Sequence, residues 1–125
     1  MTLVLDAGAL IGYDRGDRTI RAFLERAVRN GTDVRTTTGA VAQVWREGAR
    51  QARLVLLLRG VLEVELTTQR ARRVGELLAA AALSDVIGGS VIDSASDGDE
   101  VLTSDPADIT ALAAASGKTL LITPV

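Results

Sequence analysis

Two aspartates are placed where they could do chemistry. Asp6 follows the apolar run Leu3-Val4-Leu5 directly, and Asp105 follows Val101-Leu102-Thr103 after a single serine. A continuous apolar run predicts a strand covered on both faces, as in a parallel sheet. Acids at the C-terminal ends of two such strands face the crevice where open α/β sheets take ligands. The chain holds no histidine and no cysteine. Imidazole acid–base catalysis, thiolate nucleophiles, zinc sites and disulfides are therefore excluded. What remains is carboxylate, hydroxyl and guanidinium chemistry, or a hard cation held by oxygen. Each acid also has a structural role open to it. Asp6 can cap a helix beginning at Ala7, and Asp105 can cap one that has Pro106 at its first position and Asp108 at its third.

The elements that must position these acids follow from patterning. Asp17 precedes Ile20, Phe23, Leu24, Ala27 and Val28, the stripe of an amphipathic helix that stops at Asn30-Gly31. A short strand is expected over 33–37, then a helix from Gly39 to Gly48 that continues helically through Leu54–Leu58 to Gly60. The alternating stretch Val61–Leu66 predicts an edge strand with one wet face. Thr67 or Thr68 caps a long helix through the alanines at 79–82. Ser84-Asp85 starts a helix over 86–95 that the pair Gly88-Gly89 should weaken or bend, at a cost of about 2 kcal/mol relative to alanines. After the turn Asp97-Gly98-Asp99 come the Val101 strand, a helix over 106–116 and a last strand over 119–122. Strands separated by helices give an α/β fold with a mostly parallel sheet of four to five strands, covered on both faces. At 125 residues, 47% hydrophobic and 24% charged, the chain is expected to form a single domain over 1–125.

Charge is unevenly spread. Residues 1–73 carry 13 arginines against 8 acids, whereas residues 74–125 carry Lys118 alone against 8 acids. A basic half beside an acidic half suits a nuclease, one part tracking phosphates and the other holding a cation. Tyr13, Phe23 and Trp45 are the only aromatics, so platforms for stacking bases are scarce. With neither an apolar stretch of membrane-spanning length nor a signal-like start, the cytoplasm is the expected location, with no membrane partner.

The segments Leu3-Val4-Leu5-Asp6-Ala7-Gly8-Ala9-Leu10-Ile11, Val41-Ala42-Gln43-Val44-Trp45-Arg46 and Val101-Leu102-Thr103-Ser104-Asp105-Pro106-Ala107-Asp108-Ile109 resemble the PIN domain. Among its members they are most similar to the VapC-type toxin ribonucleases of bacterial toxin–antitoxin pairs. The likeness runs nearly the full length and includes the order of elements. It implies an α/β/α sandwich and a site of four carboxylates that holds Mg²⁺ or Mn²⁺ for hydrolysis of single-stranded RNA. Asp6 matches the first acid and Asp105 the acid after the fourth strand. The second falls at Gln43 and the third aligns with Gly88. Glu47, one helical turn beyond Gln43, and Asp85, one turn before Gly88, are the candidate replacements; Asp93 lies a little over one turn after Gly88, and Asp108, one turn into the last helix, is expected to line the same mouth with Gln43, Gly88 and Thr103. Thr103 and Ser104 are placed to hydrogen-bond the site, and Arg46, Arg50 and Arg53 are candidates for phosphate contact.

The resemblance also implies a cognate antitoxin and a homodimer. An apolar groove around Trp45 and Leu54–Leu58 would suit a partner helix. Two other readings stand beside the ribonuclease. One is a degenerate PIN domain, a binding or regulatory module without turnover. The other is a phosphate-accepting receiver-like domain, which needs a further acid and a lysine at the acidic end; Lys118 is the only lysine available.

Overall fold

The computed structural model describes all 125 residues. Five strands alternate with seven α-helices. They are β1 (Thr2–Leu5), α1 (Ala7–Asp14), α2 (Arg18–Arg29), β2 (Asp33–Thr37), α3 (Thr38–Val44), α4 (Ala52–Leu58), β3 (Leu62–Val64), α5 (Thr68–Ala81), α6 (Val86–Ser94), β4 (Glu100–Thr103), α7 (Pro106–Ser116) and β5 (Leu121–Pro124). The sheet is wholly parallel in the order β3-β2-β1-β4-β5. The chain steps outward from β1 to β3, then returns to the other side of β1 for β4 and β5. The strand order therefore reverses between β1 and β4, and that crevice is where both aspartates emerge.

Side-chain alternation divides the core into two layers. Leu3, Leu5 and Leu102 pack with Leu10, Ile20, Leu24, Val44 and Leu54 from the first four helices. Val4 and Val101 face the other way, against Val74, Val91, Ile92, Ile109 and Leu112 from the last three. Every residue of β4 is buried; β3 takes the predicted edge position but is shorter than the expected 61–66, and Leu62, on the face expected to be dry, is exposed. No single helix is long and apolar enough to cross a membrane.

Three expectations are corrected. The helix predicted to run from Gly39 to Gly48 ends at Val44, and Trp45 is extended. Gln51 explains the break: its Oε1 accepts the Arg46 and Glu47 N–H groups, and its Nε2 donates to the Val44 carbonyl. That side chain satisfies the groups a continuing helix would have paired. A short 3₁₀ turn, Gly48–Arg50, then precedes α4 as a separate helix. The last strand lies two residues later than expected. The glycine pair does not interrupt α6. A Cβ on Gly89 would stand 2.9 Å from Val74 and one on Gly88 3.3 Å from Leu112, so these glycines let α6 approach α5 and α7 closely.

The two ends of α6 differ in character. Its N-terminus is capped by Asp85 at the acidic edge of the sheet. At its C-terminus Lys118 Nζ donates to the carbonyls of Ile92, Asp93 and Ala95, at 2.8, 3.1 and 2.7 Å. Lys118 thus sits at the opposite end of α6 from Asp85, which removes the receiver-like reading.

Asp93 joins α6 to α5 through ion pairs with Arg70 and Arg73, both at 3.0 Å. Burial alone would push its carboxyl up, but hydrogen bonds and charge from the two arginines outweigh this and hold it below the usual carboxylate range. Asp93→Asn is expected to cost about 1–2 kcal/mol at neutral pH, read from urea midpoints. A carboxyl whose native pKa is depressed stabilises fully above its unfolded value of about 3.9, and that contribution is lost as pH falls through the native value. The two proteins should therefore converge in acid. A gap that persists at about pH 2 would show that the loss arises elsewhere.

Candidate functional site

A cavity of about 270 Å³ opens at the C-terminal edge of the sheet, lined by Asp6, Gly8, Gln43, Asp85, Gly88, Ser104 and Asp105 among others. Three of its carboxylates come from three separate elements. Asp6 ends β1 and is only 7% exposed. Its Oδ1 accepts the Ala9 N–H at 2.8 Å, capping α1, and its Oδ2 accepts the Ser104 N–H at 3.2 Å, tying β1 to the end of β4. Burial raises its carboxyl above the ordinary value, outweighing the hydrogen bonds from Thr103, Ala9, Ser104 and Gly8 that pull it down. Such a group gains from a nearby cation that stabilises its charged form.

Asp105 occupies the cap position of α7, with Pro106 behind it, yet its side chain makes no capping hydrogen bond. The predicted cap is thus present in position and absent in bonding. Instead the buried Thr103 Oγ1 accepts the Asp105 N–H at 2.9 Å, fixing the backbone and leaving the carboxylate exposed at the cavity. Asp108, one turn into α7, has its carboxyl raised by the charge of Asp105 first, then by burial, a hydrogen bond with Asp105 and the charge of Asp85. Neither Asp108 nor Thr103 lines the cavity as expected, but Asp108 feels the repulsion of two acids that do.

The third carboxylate belongs to Asp85. Its Oδ1 accepts the Gly88 N–H at 2.9 Å, and a Cβ on Gly88 would stand 2.4 Å from its Oδ2. Gly88 therefore supplies the space that Asp85 fills. Gln43, on the last turn of α3, lines the cavity and contributes an amide in place of a charge.

Other candidates lie elsewhere. Because α3 stops at Val44, Glu47 is not stacked one turn beyond Gln43. It is exposed and pairs with Arg50 at 3.3 Å, and it does not line the cavity. Asp93 is held by Arg70 and Arg73 at the other end of α6. Arg46 donates to the carbonyls of Ala42 and Trp45, and Arg53 to that of Asp14. Neither they nor Arg50 lines the acidic cavity. The apolar groove expected near Trp45 lies instead between α2 and α4, in a cavity of about 580 Å³ that includes Leu24, Val28, Leu56 and Leu57 but not Trp45.

The structure also adds Arg15, which lines a second hollow bordering the first. Its spacing from Gly8, two helical turns along α1, puts both on one helix face. That periodicity is the signal that would have found it.

The donor set consists of oxygens alone, which suits a hard divalent cation. No three acids converge closely enough to cage an ion by themselves. Mg²⁺ keeps several of its waters and commonly takes only one or two carboxylates with substrate phosphate. The residues present therefore fit a hydrated cation rather than one enclosed by protein.

Comparison with solved structures shows the chain to be similar to a chain of the crystal structure of VapBC2 from Rickettsia felis bound to a DNA fragment from their promoter. The TM-score is 0.72 at 13% identity, covering 100% of this chain and 99% of that one. The fold is PIN-like. No protein-family model matches the chain, and no curated protein matches it. The PIN-like architecture therefore rests on how the backbone is arranged, since only 13% of the residues are identical.

Proposed function

We propose that this chain is a PIN-type endoribonuclease of the toxin kind, dependent on Mg²⁺ or Mn²⁺ and acting on single-stranded RNA in the cytoplasm. The observation that carries the reading is the meeting of Asp6, Asp85 and Asp105 in one cavity at the point where strand order reverses. The likeness to a chain of a VapBC complex supports an antitoxin partner for this protein too, and a homodimer belongs to the same reading.

Asp6, Asp85 and Asp105 are the residues that would hold a hydrated cation, by one or two direct carboxylate contacts and otherwise through its waters. Bound there, it would supply an activated water and positive charge beside the scissile phosphate. The chain's own part is positioning. Backbone N–H groups of Ala9 and Ser104 fix the Asp6 carboxylate. Thr103 fixes the Asp105 backbone, and Gly88 leaves room for Asp85. Ile87 and Ile109 give the cavity an apolar wall.

One observation favours a second reading, a binding module without turnover: Gln43 stands where the resemblance places the second of four acids. The deciding experiment is cleavage of a mixed-sequence single-stranded RNA with Mg²⁺, with Mn²⁺ and with EDTA, beside Asp6→Asn and Asp105→Asn. Metal-dependent cleavage that falls by about 100-fold or more in both variants is the expected result. Absence of cleavage, with no rise in melting temperature on adding metal, favours the binding module. Cleavage that survives in EDTA or in both variants would point to a contaminating nuclease.

A further inference from the structure

We infer that the hollow beside the acidic cavity is the track for a single strand's backbone, with Arg15 receiving a phosphate that flanks the one at the acids. This rests on the ribonuclease reading and extends it from where the acids sit to where the rest of the strand lies.

The hollow has a volume of about 500 Å³ and is lined by Gly8, Gly12, Arg15, Gly16, Asp17 and Ser104, with Ile11. It shares Gly8 and Ser104 with the acidic cavity, so the two form one continuous trough along α1. Gly8 and Arg15, the C-cap of α1, are seven residues apart, which places Arg15 about 10 Å along the helix axis from Gly8.

Arg15 is exposed and forms no ion pair, unlike Arg21 with Glu25, Arg50 with Glu47, or Arg70 and Arg73 with Asp93. The acids beside it in sequence are engaged. The Asp14 carboxylate accepts from the Leu54 N–H and from Gln51 Nε2, and Asp17 caps α2 by accepting the Ile20 N–H. A second guanidinium stands at the same end of the trough. Arg53 reaches back from α4 to donate to the Asp14 carbonyl, and its guanidinium lies 3.5 Å from where a Cβ on Gly16 would be. Gly16 has a φ of +83° and turns the chain there without a side chain in the way.

An acidic mouth repels a phosphodiester unless a cation sits in it, so attraction must come from beside it. Arg15 in the trough and Arg53 beside Gly16 outnumber the one carboxylate at that end, Asp17, which is committed to capping α2, whereas three carboxylates stand at the other end. No aromatic side chain is among its lining residues. Contacts to phosphate fix position without reading sequence, so this trough should bind strands with little base preference.

The test is binding of a fluorescent mixed-sequence single-stranded RNA in Mg²⁺ across a salt series, in the Asp105→Asn protein to stop turnover. Arg15→Ala is compared with Arg29→Ala, an exposed arginine at the end of α2 that leads into the opposite edge of the sheet. Arg15→Ala should weaken binding several-fold and lower the slope of log affinity against log salt by about 0.7, with Arg29→Ala unchanged. Equal affinities and slopes for both variants overturn the inference, as does native-like cleavage by Arg15→Ala in the otherwise wild-type protein. Arg15-dependent binding without any cleavage sustains the track while ending the nuclease reading. Absence of RNA binding ends both.

Discussion

Replacing Gln43 by glutamate is expected to tighten Mn²⁺ binding by about ten- to thirtyfold, or about 1.4–2 kcal/mol. Gln43 lines the acidic cavity together with Asp6, Asp85 and Asp105 and brings no charge. A unit charge a few ångströms from an ion at a protein surface is worth from about 1 kcal/mol in water-like surroundings to about 4 at lower effective dielectric. The mouth is open, so the lower half of that range applies. The same substitution adds a fourth carboxylate to a group that already repels itself, as the raised Asp108 carboxyl shows. In EDTA the variant should therefore melt a few degrees below the native protein, and in Mn²⁺ the order should reverse. Calorimetric titration and paired melting curves would read both effects. Unchanged affinity would mean that the amide side chain does not face the ion. Cleavage gained by the variant where the native chain has none would identify position 43 as the single missing charge.

Gly8→Ala should damage stability and site together. A Cβ at this position would stand 1.8 Å from the Ser104 hydroxyl oxygen and 2.5 Å from its Cβ. The hydroxyl can rotate away, but the Ser104 Cβ is fixed to the end of a buried strand. Helix α1 and strand β4 would have to part, stretching the bond from the Ser104 N–H to Asp6. Overpacking of this kind costs about 1–3 kcal/mol. For a domain of this size each kcal/mol lowers the melting temperature by about 3–6 °C. The diagnostic measurement is the double-mutant cycle with Ser104→Gly, which removes the obstructing atoms and keeps the N–H that holds Asp6. The double variant should regain most of the loss, leaving a coupling of about 1–2 kcal/mol. Simple additivity of the two changes would show that the alanine is destabilising for another reason.

Much of this architecture was written locally. The continuous apolar runs before Asp6 and Asp105 gave two central strands, and the stripe from Ile20 to Val28 gave α2. The alternation near Leu62 gave an edge strand. What escaped was set by contacts distant in sequence or by side chains acting as backbone partners. The end of α3 depends on Gln51 reaching back to Val44, and periodicity does not register that. The persistence of α6 through Gly88-Gly89 depends on helices that need a close approach, which a propensity scale counts only as a cost. At the site, Asp6, Asp105 and the carboxylate at Asp85 were legible as acids at element boundaries. The replacement at Glu47 failed because it assumed a helix the chain does not form. Arg15 belonged to a face whose importance emerges only once Ser104 is seen beside Gly8.

The bond from the Ser104 N–H to Asp6 joins residues 98 positions apart. It crosses the pairing of β1 with β4, where Leu3, Val4 and Leu5 meet Glu100, Val101 and Leu102. Contacts of such long sequence separation close late, because the loop entropy must be met before they form. During synthesis Asp6 leaves the ribosome 98 positions ahead of Ser104 and waits for that stretch before its partner strand exists. A prematurely ended product that stops short of β4 holds the first acid but neither Asp105 nor the strand that orients it. The geometry of the fold thus makes the assembled site a signature of synthesis carried past β4.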